Sequence, residues 1–198
     1  MKRLIYAALA ILASLASVAF ANIPIQDAAK SAAPAAKPNT SDSPANTAAA
    51  PRPIDAISWV IGGVWTADAT KLGPGMQRIE TRYQWSDNHA YIRFTTHFVF
   101  DKGVAKTYDG NFFWNPAQNN LAIWYMDTRN AVIEGPVKVA GEQWLISFRG
   151  EDFEGKMSDL QVTVTRKTND DYRWALSEKQ GDAWKELAAL EYLRVAGS

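Results

Sequence analysis

The chain of 198 residues contains no cysteine. That excludes disulfides, thiolate metal sites, a cysteine nucleophile and a lipid-bearing N-terminal cysteine. Histidine is nearly absent too, with His89 and His97 alone. Haem or zinc coordination would therefore have to pass through one of these two. Eight residues apart on one strand, their rings would stand roughly 25 Å from each other and could not share a metal. Net charge is absent as well: 21 basic residues balance 21 acidic ones. No overall field points to nucleic acid or to a membrane surface. No Ser-His-Asp order, phosphate loop or metal motif occurs, and Asp109, Asp127 and Asp152 have no partner spacing that marks acid–base work. The sequence reads as carrying no catalytic residue, no metal and no cofactor.

Tryptophan is missing from the first 58 residues and then appears eight times. The silent stretch has two parts. Lys2-Arg3, the apolar run from Leu4 to Phe20 and the small-x-small box Ala19-Phe20-Ala21 describe a cleaved signal peptide over residues 1–21. An uncleaved anchor is the competing reading, but the apolar run is short for a spanning helix. The mature protein is expected to be periplasmic or secreted, with no stable membrane insertion after cleavage. Residues 22–53 are rich in Ala, Pro, Ser, Thr and Asn and hold few large apolar side chains. Such a segment buries too little surface to offset its ordering entropy, so it is predicted to be a disordered linker.

From residue 54 to 198 the pattern changes to strands with short turns. Residues 55–61 predict one helical turn, with Asp55 as its N-cap. Residues 76–86 alternate, with Ile79, Thr81, Tyr83 and Trp85 on one face and Arg78, Glu80, Arg82 and Gln84 on the other. Asp87-Asn88 reads as a two-residue turn. Residues 89–100 alternate again, placing Phe94 and Phe98 together. Strands follow over residues 104–114, 121–127, 131–139, 143–149, 158–167 and 172–179. Gly135-Pro136 suggests an edge or a bulge. Turns are read at residues 128–130, and a charged loop at 151–156. Residues 184–195 have the composition of a helix, but Glu191 to Val195 alternate and a barrel needs a closing strand, which favours strand. The predicted fold is all-β: an antiparallel up-and-down barrel of about nine to ten strands, which removes sheet edges and can hold a cavity.

Gly63-Val64-Trp65 resembles the glycine-x-tryptophan signature that opens lipocalins and other calycin-type barrels. The segment also resembles lipocalin-like domains of poorly characterised exported bacterial proteins. The resemblance implies that Trp65 seals the barrel floor and that Arg194, in Glu191-Tyr192-Leu193-Arg194, packs on its ring. The chain departs from secreted lipocalins in lacking a disulfide and in having a short loop after its first strand.

The expected function is binding of a small, partly apolar or aromatic molecule. Trp85, Trp114, Trp124 and Trp174 are the candidate cavity tryptophans, with Tyr83, Phe94 and Phe98 beside them. Ordinary packing of a filled barrel is the plainer reading of the same residues. Arg78, Glu80, Arg82 and Arg93 are expected to form cross-strand ion pairs on the outer wall, the alternative being a register in which they line the cavity and hold a ligand carboxylate. An envelope interaction module reaching out on the Pro/Ala segment, or an enzyme with a polar lumen, are the alternatives. An outer-membrane barrel would need one uncharged face on every strand, and residues 184–195 carry charge on both.

Overall fold

The computed structural model describes residues 52–127, 132–151 and 157–196. The leader, nearly all of the linker, the turn at 128–130 and most of the charged loop at 151–156 lie outside them.

A 3-10 helix, Pro53–Val60, opens the domain. Pro at the first helical position has its φ already set and has no N–H to leave unpaired. The N-cap is Arg52 and not Asp55. Asp55 sits three residues in, where its carboxylate accepts from the Arg52 backbone N–H at 2.9 Å and from the Arg52 guanidinium at 2.7 Å. Ile54, Ile57 and Val60 are buried, so the helix turns one side into the barrel.

The strands are β1 (Val64–Asp68), β2 (Met76–Trp85), β3 (Tyr91–Phe100), β4 (Gly103–Asn115), β5 (Asn120–Asp127), β6 (Val132–Ala140), β7 (Gln143–Glu151), β8 (Met157–Arg166), β9 (Asp171–Gln180) and β10 (Ala183–Val195). Each pairs antiparallel with its neighbour in sequence, and β1 closes the ring on β10. The last segment is therefore a strand, as its terminal alternation indicates. Its helical composition loses because Leu190 and Tyr192 can be buried only by facing the lumen. The register shifts between Glu186 and Ala188. This bulge at Leu187 swaps the phase of the strand and blurs its alternation in sequence.

Two turns differ from expectation. The connection between β2 and β3 spans residues 86–90 and not two residues. The buried Ser86 hydroxyl organises it, accepting from the Ala90 and Tyr91 N–H groups at 3.0 and 3.2 Å and donating to Asn88 Oδ1 at 2.8 Å. His89 takes a left-handed φ of 55° here and lies outside β3. Gly135-Pro136 marks no edge, because β6 is flanked by β5 and β7. Pro136 has no N–H to give, and the β6–β7 ladder runs only from Ala140↔Gln143 to Val137↔Ile146. Beside it the strands crowd together: a Cβ on Gly135 would collide with the Ser147 carbonyl.

The core is the inside of the barrel. Ile79, Phe98, Ile146, Leu160, Val162, Leu176 and Leu190 point inward and are buried. The outer wall carries the charges, including the pairs Arg78–Glu80 at 2.6 Å, Arg149–Asp159 at 3.3 Å and Arg173–Glu186 at 2.7 Å. Such exposed pairs hold register and solubility more than stability.

Candidate functional site: a floored lumen

One end of the barrel is plugged. Trp65 is fully buried, and its Nε1–H donates to the Val60 carbonyl at 2.7 Å. Its ring packs against Trp59 at 5.8 Å and Tyr172 at 4.7 Å between centroids. Trp59 in turn meets Trp144 at 5.1 Å. Arg194 lies across the outside of this plug, with its guanidinium carbon 4.4 Å from the Trp65 ring centroid. Its Nη1 donates to the Ile61 and Gly62 carbonyls at 2.7 and 2.9 Å, and its Nη2 to those of Trp59 and Asn169 at 2.6 and 2.9 Å. Asp170 Oδ1 stands 3.0 Å from its Nε. One side chain thus ties the end of β10 to the helix, the β1 entry and the β8–β9 turn. The glycine pair is needed for this. Gly62 and Gly63 have φ of 91° and 69°, and a Cβ on Gly63 would lie 2.8 Å from the Val195 carbonyl and 3.0 Å from Arg194 Cγ.

Above the floor lies a cavity of about 140 Å³. Of the sequence-predicted residues, Tyr83, Phe94, Phe98 and Trp174 line it. Trp85, Trp114 and Trp124 do not. Trp85 shares the inward phase but sits at the floor rim, its ring stacked on His89 at 5.5 Å with Arg52 over it at 5.0 Å. Trp114 is inward too, but it pairs with Leu121 beside the 116–119 turn, at the floor end of the barrel. Trp124 lies opposite Asn111 and Glu134, on the phase that leaves Ile123 and Tyr125 for the lumen. The stretch from Leu121 to Met126 is too uniformly apolar for its sequence to disclose which residues turn inward.

Sequence reasoning passed over Tyr108, Tyr125, Trp144, Tyr172 and Tyr192, all of which reach the cavity. A signal for one of them was present. Tyr172 is two residues from Trp174 on the same strand and so shares its phase.

All the side chains that line the cavity are uncharged. Its polarity comes from hydroxyls. Thr81 and Thr96 join at 2.9 Å between Oγ1 atoms, and the Tyr83 and Tyr172 phenols face each other at 3.5 Å. Burial pushes the Tyr83 phenol up to about 12, a rise partly offset by its hydrogen bond with Tyr172. Burial likewise holds Tyr172 and Tyr192 well above the ordinary phenol value. These groups stay protonated at neutral pH, so they can form hydrogen bonds but not serve as bases. Among the described residues no cluster of His, Asp and Glu is arranged to hold a metal ion.

Floor and lumen together define a closed, antiparallel, ten-stranded barrel with an apolar interior. No protein-family model matches the chain, and no curated protein matches it. Solved structures similar to it include the crystal structure of Rv2717c from M. tuberculosis, with 12% sequence identity, a TM-score of 0.44, and coverage of 72% of this chain and 96% of that one.

Proposed function

We propose that this is an exported, lipocalin-like barrel that binds a small, uncharged, mostly apolar molecule in its lumen. The observation that carries the reading is the cavity of about 140 Å³ walled by aliphatic and aromatic side chains. Its size narrows the ligand. An apolar cavity of about 150 Å³ stays dry and accepts benzene, whereas pockets for drug-sized ligands occupy about 300–1,000 Å³. The lumen therefore suits a single ring, not a macrocycle or a long acyl chain. The uncharged lining disfavours ions, because a carboxylate or ammonium would be buried without a partner.

Export rests on the leader and the linker-like composition that follows it. Among the described residues no helix is long and apolar enough to cross a membrane. The alternation also runs opposite to that of an outer-membrane barrel, with apolar side chains inside and ion pairs outside. An aqueous compartment fits that wall.

Titrating the protein with toluene while following methyl NMR shifts tests the reading. Saturable shifts at Ile79, Ile146, Val162 and Leu176 are expected, and Val162→Phe, which fills the space, should abolish them. Absence of saturable shifts in the wild type would refute it.

A further inference from the structure

The polar groups of the lumen are not equally satisfied. Thr81 and Thr96 bond to each other at 2.9 Å. Tyr83 and Tyr172 reach in from β2 and β9, and their oxygens stand 3.5 Å apart. An O–H···O bond normally spans about 2.7–2.8 Å, so this contact is at the outer limit. Two phenols carry two protons. If one donates across the pair, the second has no acceptor among the described residues. An O–H left in that state in a partly buried site carries a cost.

The pair is also held in place. The Tyr172 ring is stacked on Tyr192 with centroids 4.7 Å apart and planes 12° apart, and it packs on Trp65 at 4.7 Å. The Tyr83 ring meets Phe94 at 6.1 Å and Phe112 at 6.4 Å. Neither hydroxyl can swing far toward a better partner. Both remain neutral, because burial raises their pKa.

We propose that Tyr83 and Tyr172 form the polar anchor of the cavity, and that its occupant is an uncharged single-ring molecule bearing one acceptor oxygen, a phenolic hydroxyl or a carbonyl. The oxygen takes the uncommitted phenol proton near the floor. The carbon ring lies among Phe98, Ile146, Val162 and Leu176. This deepens the lumen-binding reading and rests on it. A carboxylate is disfavoured because no cationic side chain lines the cavity.

Phenol and toluene have the same shape and differ by a hydroxyl for a methyl, so the ratio of their dissociation constants isolates the anchor. The ratio is measured by NMR titration in the wild type, in Tyr83→Phe, in Tyr172→Phe and in the double variant Tyr83→Phe/Tyr172→Phe. Each single variant leaves one phenol whose proton is free to donate, so the preference for phenol should persist there, whereas the double variant loses the neutral hydrogen bond and its preference should fall by about threefold to tenfold. Toluene affinity should stay within about twofold of wild type, which also shows that each variant still folds around its cavity. Benzoate should not bind. If toluene binds and the phenol preference survives in the double variant, the anchor is wrong while the lumen-binding reading stands. If neither toluene nor phenol binds the wild type, the lumen-binding reading itself fails and takes the anchor with it.

Discussion

Replacing Arg194 by Met should weaken the barrel more than any other single change on its outer surface. The magnitude follows from what the guanidinium touches. Four backbone carbonyls accept from it, and those of Trp59 and Ile61 are partly buried. The more exposed carbonyls of Gly62 and Asn169 regain water at little cost. The two shielded bonds, each to a charged donor, contribute about 1 kcal/mol apiece after discounting for their partial exposure. The stack on Trp65 at 4.4 Å adds about 1 kcal/mol. Met keeps the aliphatic stem that packs on Gly63, so the loss is about 3 kcal/mol. In a domain of this size that lowers the melting temperature by roughly 10 °C. Arg194→Lys keeps the charge but cannot fork onto several carbonyls, and should lose about half as much. Asp170→Asn should cost under about 0.5 kcal/mol, because the Asp170 side chain is 72% exposed. Urea unfolding followed by circular dichroism measures all three. If Arg194→Met stays within about 0.5 kcal/mol of wild type, or Asp170→Asn costs as much, Arg194 is not the clasp described here.

Gly135→Ala should destabilise by about 3 kcal/mol or more, since the new methyl must push back the Ser147 backbone and not a flexible side chain; a melting temperature near that of wild type would contradict the close β6–β7 crossing. Alkali should unfold the barrel through the phenols of its lumen. Tyr83, Tyr172 and Tyr192 all have folded values above the unfolded value of about 10. Below that pH both states hold the protons and the phenols leave stability undiminished. Above it the unfolded chain loses protons that the native state keeps, so stability falls by about 1.4 kcal/mol per pH unit for each phenol, and for Tyr83 levels off only near its folded value of about 12. Tyrosinate absorbance should show these phenols ionising together with loss of structure; full ionisation near pH 10 with the fold intact would refute the burial argument.

Most of the fold was legible because a barrel wall repeats one rule. Where polar and apolar residues alternate cleanly, as from Arg78 to Trp85, the strand and its inward face could both be read. The floor was legible from three positions, Gly63, Trp65 and Arg194, through the resemblance to the lipocalin signature, which implies the contact they make. The site was legible only in part, and for local reasons. From Leu121 to Met126 both faces are apolar, so Trp124 gives no sign that it points outward. At Leu187 a bulge breaks the period and separates Tyr192 from any phase assigned at Trp184. Trp85 and Trp114 obey the inward phase, but phase does not say how far along the axis a residue lies, and both fall at the floor end. The phenol pair joins β2 to β9 across the lumen, a contact that depends on the curvature of the whole sheet and has no signature in either strand.

The most direct measurement is a crystal structure of the protein under xenon pressure, because xenon enters dry apolar cavities whatever their natural ligand. An ordered atom inside the barrel, in contact with Phe98, Ile146 and Val162, is the expected result. A lumen without xenon, filled by side chains, would contradict the central claim that this barrel keeps a ring-sized space above its tryptophan floor.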